Sequence, residues 1–163
     1  VVNDVSAGSL DPELWNVVAK HQAVYLLMHM QGEPQSMQNK PQYTHVTQEV
    51  VKFISLQLNA LRIKGISDVW IDPGFGFGKT LEHNFQLLRE LEAFQLFNCP
   101  ILVGMSRKKM IQTATGRSSE EVIYGTTTAH FAALERGAAI LRVHDVEPAR
   151  QAIAIYQNLR TNI

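Results

Sequence analysis

Arg142 and His144 are separated by one residue and flanked by Leu141 and Val143. Alternate residues of an extended strand share a face. Both side chains therefore point the same way, toward the mouth of a barrel if Leu141 and Val143 pack outward against helices. A charged Arg inside a strand is costly unless it is paired, so this pair is the hardest to explain as scaffolding. Ser106-Arg107-Lys108 follows another apolar run and offers a hydroxyl and two cations. Asp72 closes a third run, ahead of Gly74-Phe75-Gly76-Phe77-Gly78-Lys79. His29 and Gln31 close a fourth, and Asn3 and Asp4 follow the first. Together these positions supply carboxylates, amides, lysines, arginines and histidines, the groups that hold a polar or charged ligand.

Each also has a plainer reading. Asp72 before Pro73-Gly74 shapes a turn, and Asn3 and Asp4 suit a turn approaching a helix. His29, between Met28 and Met30, fits a satisfied core histidine better than a catalyst, and Lys108 suits solvated surface. Gly74, Gly76 and Gly78 resemble a phosphate loop, but the spacing is neither GxGxxG nor a Walker motif. No HExxH or CxxC occurs, and His21, His29, His45, His83, His130 and His144 show no ligand spacing. Cys99 precedes Pro100 at a strand start, the wrong end for catalysis, and Ser106 has no histidine base near it in sequence.

Short apolar runs alternate with stretches of helical period. Val1 to Val5 reads as the tail of a strand, and Asp11-Pro12-Glu13 as a helix start with Asp11 as N-cap and Pro12 at the first helical position. That helix fades near Lys20, and Ala23 to Met30 is a buried strand. Gln31 to Pro41 is a polar loop with Gly32 and Pro34. Tyr43 to Lys64 is the clearest helix, with Val46, Val50, Ile54, Leu58 and Leu61 at steps of three and four and Gly65 ending it. Val69-Trp70-Ile71 is a strand, and Leu81 to Phe94 a helix with Leu81, Phe85, Leu88 and Leu91 on one side. Pro100 to Gly104 is a strand and Ser106 to Thr115 holds a short helix. Ser118 to Arg136 is a helix with Ser118 and Glu121 as a capping box. Ala138 to Val143 is a strand, and Pro148 to Leu159 the closing helix.

Five strand–helix units without hairpin signals imply a parallel α/β sheet with right-handed crossovers. An open doubly wound sheet and part of a (β/α)8 barrel both fit. Each unit averages about 30 residues, and a barrel closes on eight over roughly 250, so five are too few to close one. In both architectures a site forms beyond the C-terminal ends of the strands, where the residues above fall. The 163 residues, 45% hydrophobic and 18% charged, read as one folded domain over 1–163. A net charge of zero advertises no face for nucleic acid or membrane surface, and no apolar run approaches a span. The single cysteine allows no intrachain disulfide and suits a reducing cytoplasm. The chain opens Val1-Val2-Asn3-Asp4-Val5-Ser6 without an initiator Met, so further sequence upstream is expected.

Asp72 to Lys79 is similar to the signature of dihydropteroate synthases. So are Leu27-Met28-His29-Met30-Gln31-Gly32, Val103-Gly104-Met105-Ser106-Arg107-Lys108 and Arg142-Val143-His144-Asp145, while Val2-Asn3-Asp4 resembles the family's fourth strand. The matches are colinear over nearly the whole chain. The resemblance implies a (β/α)8 TIM-type barrel, N-terminally incomplete, with strands four to eight here. It implies that a dihydropterin diphosphate condenses with p-aminobenzoate to dihydropteroate and diphosphate, by a route in which diphosphate leaves first.

By that resemblance Asp72 and Asn3 bind the pterin edge and Lys108 donates to its carbonyl and ring nitrogen. Met28 and Phe77 supply apolar walls. Arg142 stacks on the pterin while it and His144 hold the diphosphate, and Ser106 and Lys108 lie near p-aminobenzoate. Lys108, Arg142 and His144 would carry the catalysis, as positioning and charge stabilisation. Magnesium would neutralise diphosphate oxygens, its ligand lying outside this chain. Loops of the first two strands would be missing, so this chain alone is expected to be inactive. A homodimer is expected through the helices around Glu121 to Glu135 and Pro148 to Leu159. The alternatives are a pterin-binding methyltransferase domain acting on a corrinoid partner, against which the segments 106–108 and 142–144 argue, and a non-catalytic pterin-binding barrel.

Overall fold

A computed structural model of the chain describes residues 1–32, 37 and 41–160. Most of the expected 31–41 loop, Pro34 included, lies outside the described residues. The elements run β1 (Val2–Asp4), α1 (Leu14–His21), β2 (Tyr25–Met28), α2 (Val46–Ile63), β3 (Val69–Asp72), α3 (Leu81–Arg89), a 3-10 segment (Leu91–Phe97), β4 (Leu102–Val103), α4 (Lys109–Thr115), α5 (Ile123–Glu135), β5 (Ile140–Leu141) and α6 (Val146–Arg160). β1, β2 and β3 form one parallel sheet and β4 and β5 a second. One bridge, Ile71 to Ile101, joins them, with Ile71 N–H donating to Pro100 O at 2.9 Å. The five parallel βα units are those read from the sequence. Among the described residues no helix is long and apolar enough to cross a membrane.

Register sorts the side chains into two faces. Asn3 pairs with Leu26 and Leu26 with Trp70, Met28 pairs with Asp72, and Leu102 pairs with Ile140. By strand alternation these share one face, with Gly104 and Arg142 continuing it. Tyr25, Leu27, Val69, Ile71, Ile101, Val103 and Leu141 take the other face and pack into the core beneath the helices. The α2 stripe Val46, Val50, Ile54, Leu58 and Leu61 closes that core, each residue at most 3% exposed. Burial of such side chains contributes roughly 1.5–3 kcal/mol apiece.

Several boundaries differ from the sequence reading, each for a local reason. α1 starts at Leu14: the Asp11 carboxylate accepts from Glu13 N–H at 3.0 Å and closes a turn ahead of the helix, and Glu13 takes the cap position. α2 starts at Val46 because Glu49 reaches back to the N–H groups of Thr44 and His45. The helix expected over 81–94 breaks at Glu90 into a 3-10 segment. Its buried face carries Asn84, Leu87 and Leu88, while Phe85 is 36% exposed. α4 starts at Lys109 and α5 at Ile123. Ser118 and Glu121 make a turn held by Glu121 Oε2, which accepts from the Ser118 N–H and hydroxyl. β2, β4 and β5 are shorter than their apolar runs, because a ladder extends only as far as its neighbour pairs with it.

Candidate functional site: the rim beyond the strand ends

Asp72 ends β3 and is 4% exposed. Its Oδ1 accepts from Gly74 N–H at 2.7 Å. Burial pushes its carboxyl above the usual range, while the Gly74 bond and the charges of Lys108, Arg142 and Lys79 pull it down. One bond leaves most of the acceptor capacity of a carboxylate, about four lone-pair sites, for a ligand's donors.

The glycine-rich loop after Asp72 is not an anion cradle. Gly74 N–H is committed to Asp72, Gly76 N–H donates to Asn84 Oδ1 at 2.7 Å, and Phe77 N–H donates to Gly74 O at 3.1 Å. Asn84 also donates to the carbonyls of Lys79 and Thr80, which is why it displaces Phe85 from the buried face of α3. Gly74 has φ +74°, and a Cβ there would sit 1.8 Å from His29 O. Gly74→Ala is therefore expected to lose several kcal/mol: roughly 1–3 for the backbone alone, more for the clash. Thermal unfolding would show a drop of many degrees, and an unchanged midpoint would refute this account.

Lys108 crosses from β4 to this loop. Its ammonium donates to Phe75 O at 2.5 Å and lies 4.6 Å from the Phe77 ring centroid. Burial draws its pKa down to about 8, Asp72 opposing and Arg142 adding to the shift. Arg142 N–H bonds Val103 O at 3.0 Å beyond β5. Its side chain is exposed rather than buried, so the burial cost expected for it does not arise. The guanidinium lies over Gly104, where a Cβ would meet Nη2 at 2.7 Å.

Ser106 is 3% exposed, and its hydroxyl accepts from His144 N–H at 3.1 Å and lies 3.0 Å from His144 Nδ1. When the hydroxyl donates to Nδ1, the neutral ring carries its proton on Nε2 and offers a donor to an anion. Beside it, Arg107 grips Asp145 with Nε at 2.9 Å and Nη2 at 2.5 Å. That bond holds the Asp145 carboxyl below its ordinary range. Arg107 is thus turned to the scaffold, leaving Lys108 and Arg142 as the cations beside Ser106 and His144 without a carboxylate bond among the described residues.

Two cavities adjoin. One of about 300 Å³ is lined by Gly104, Ser106, Arg107, Lys108, Ser119, Arg142 and His144. The other, about 510 Å³, is lined by Phe77, Leu81, Met110, Met37, Thr113, Gly76 and Asn84, with Lys79, Lys108 and Lys109. Lys108 belongs to both. The structure thus unites Ser106, Lys108, Arg142 and His144, and pairs Phe77 with Lys108. Ser106 lines the first cavity and not the second. Met28 is buried beside Asp72 in register, but it lines a separate cavity of about 150 Å³ with Ser6, Met30 and Phe53. Asn3 is exposed on the Asp72 face, and Asp4 turns away to accept from Tyr25, Ser6 and Gly8. His29 is a satisfied core histidine, 6% exposed and within 3.0 Å of Lys79 Nζ. Asn84, Gly104 and Ser119 escaped the sequence reading. Only Gly104, at a strand end beside the motif, carried a signal.

The profile of the pterin binding enzymes matches residues 1–144. The chain belongs to the pterin binding enzyme family. A dihydropteroate synthase of Synechocystis sp. is 40% identical over 154 residues, which are 93% of this chain and 53% of the relative. The Yersinia pestis dihydropteroate synthase, solved as a sulfonamide drug complex, superposes with a TM-score of 0.94 at 36% identity over 97% of this chain and 58% of that one. The Xanthomonas albilineans dihydropteroate synthase with 4-aminobenzoic acid gives 0.90 at 37%, over 99% and 57%. The chain thus spans a little over half the length of the relatives it matches. Its five βα units are a barrel segment of this family.

The Ser106 bond to His144 has a measurable consequence. Ser106→Ala leaves two His144 groups without their partner, worth about 1–2 kcal/mol. Inorganic diphosphate titrated calorimetrically should bind roughly tenfold more weakly to the variant. Equal affinities would show that Ser106 does not order His144.

Proposed function

We propose that this chain supplies the pterin- and diphosphate-binding part of a dihydropteroate synthase. The carrying observation is the juxtaposition on one rim of a buried carboxylate, Asp72, with a cavity bearing Lys108, Arg142 and His144. A pterin edge presents an amino group beside a ring N–H, and one carboxylate accepts both. Lys108, Arg142 and the His144 Nε2–H then face the departing diphosphate and stabilise its charge. The arylamine nitrogen of p-aminobenzoate bonds to the pterin's methylene carbon as the carbon–oxygen bond to diphosphate breaks, and the amine's proton leaves with solvent. No protein nucleophile is needed, so the work is positioning and charge stabilisation. The apolar cavity against Phe77 suits the aryl ring, with Lys108 and Lys109 near its carboxylate. The relative that holds 4-aminobenzoic acid supports this reading.

Magnesium does not fit the residues described here. Among them no group of three or more His, Cys, Asp or Glu could hold an ion, and three cations already face Asp72. Pairing of two copies through α5 and α6 belongs to the same proposal. Val122 and Leu134 are core residues, but Phe131 and Ile155 line an open groove of about 390 Å³ between the helices. A cytoplasmic location is supported only by the lone thiol. The test is calorimetric titration of a dihydropterin analogue into this chain and its Asp72→Asn variant. Binding lost in the variant supports the proposal, and no binding by the folded wild-type chain counts against it.

A further inference from the structure

Lys79 is a buried cation that the chemistry above does not use. It is 4% exposed, on the last residue of the glycine-rich loop before the cap of α3. Its Nζ donates to Gly74 O at 2.8 Å and to Phe77 O at 3.0 Å, and lies 3.0 Å from His29 Nδ1. Among the described residues no carboxylate bonds to it. An ammonium has three donors, and here three acceptors from two separate segments meet them. Burial, together with the Lys79 charge, draws the His29 ring down to about 3, so the ring is neutral and accepts. Its orientation is fixed in turn by the edge-to-face contact with Phe53, at 4.9 Å between centroids.

The two carbonyls are not arbitrary. Gly74 supplies the N–H that fixes Asp72 Oδ1. Phe77 is the aromatic wall beneath Lys108. Gly74 O also accepts from Phe77 N–H, so both residues close on one point. A hydrocarbon filler could occupy the same volume, but it could not hold two carbonyls against a neighbouring strand. A buried ammonium without a counter-ion bond is an expensive way to fill space. Burial draws Lys79 down to about 7 even with the Asp72 charge favouring its proton. Retaining a group so disfavoured points to what its donors do.

We propose that Lys79 is a positioning residue for the pterin site: its three bonds, anchored on His29 at the end of β2, set the loop that orients Asp72 and Phe77. Its side chain borders the cavity of about 510 Å³, but its Nζ is spent on these three acceptors, and it acts through Asp72 and Phe77. The proposal rests on the reading that Asp72 binds a pterin.

The experiment compares the chain with Lys79→Met, which keeps length and loses all donors, and Lys79→Gln, which keeps N–H donors. Binding of the same dihydropterin analogue is read by calorimetry, with thermal midpoints recorded alongside. Lys79→Met should bind at least tenfold more weakly, and Lys79→Gln should recover to within about threefold of wild type. A packing role would instead shift the midpoint of both variants and leave affinity per folded molecule unchanged, which overturns the proposal. If Lys79→Met does not fold, His29→Leu removes one acceptor and leaves the lysine in place. A loss of affinity of about threefold or more is then expected, and none overturns the proposal. Absence of binding by the folded wild-type chain counts against the functional reading instead. Hydrogen exchange then decides for Lys79 without any pterin. The segment 73–78 should exchange at least tenfold faster in Lys79→Met, or His29→Leu if Lys79→Met does not fold, and an equal rate overturns the proposal.

Discussion

Asp72→Asn is expected to lose pterin binding by at least a hundredfold while leaving the fold intact and no less stable above the folded-state pKa of Asp72. The amide retains an oxygen for Gly74 N–H, so the loop keeps its anchor. It replaces the ligand-facing acceptors with an NH2 group that opposes the pterin's own donors. Hydrogen bonds to a charged group contribute about 1.5–3 kcal/mol each, and two of them exceed the roughly 2.7 kcal/mol that a hundredfold represents. The stability arm follows from the direction of the Asp72 shift. Burial raises the folded-state pKa above 3.8, so the native state holds that proton more tightly than the unfolded chain. The stabilisation this gives is complete below 3.8 and lost as pH rises through the folded value. Above the folded value the wild type has lost it, and the neutral Asn never depended on it. The midpoint of Asp72→Asn should therefore equal or exceed that of wild type once pH passes the folded value, the gap closing as pH falls toward 3.8. A variant that binds pterin within tenfold of wild type would remove Asp72 from the site.

Lys108→Ala lowers kcat/KM by roughly a hundred- to a thousandfold in an enzyme that carries this chain, the scale of losing one preorganised donor to developing charge. Lys108 borders both cavities, so on the proposed reading the variant should affect both substrates. Its pKa of about 8 adds a second signature. The rate should fall as pH rises through about 8 and the ammonium loses its proton, and Lys108→Ala should lack that limb. The sign for stability is the reverse. Between about 8 and 10.5 the unfolded chain holds more protons than the native one, so this group makes stability rise with pH across that window. Falling activity with rising stability separates it from general alkaline unfolding. A rate flat from pH 7 to 9.5 would refute the assignment.

How much of this was legible depended on how locally each feature is determined. The α2 stripe was readable because one physical requirement, burial at every turn, governs all its positions. The α3 face was not: Asn84 faces inward to serve backbone groups of the glycine-rich loop, and no periodicity shows that. Arg142 and His144 were readable as a pair because strand alternation alone puts them on one face. Ser106 was legible as a rim residue, but its bond to His144 spans 38 positions and joins two loops that only the sheet brings together. The grip of Arg107 on Asp145 has the same origin. Glycine spacing suggested a phosphate loop, yet three of its amides are spent inside the protein, a destination that composition does not encode.

The single bridge found among the described residues between the three-stranded and two-stranded sheets bears on how the molecule responds to occupancy. Asp72 ends one sheet, Arg142 and His144 follow β5 of the other, and the Lys108 bond to Phe75 O crosses between them. A ligand bonded at both ends is a rivet through a two-plate joint. Its binding energy is then felt as resistance to shear along the junction, and fragments that fill only one side leave the plates as free to slide as before.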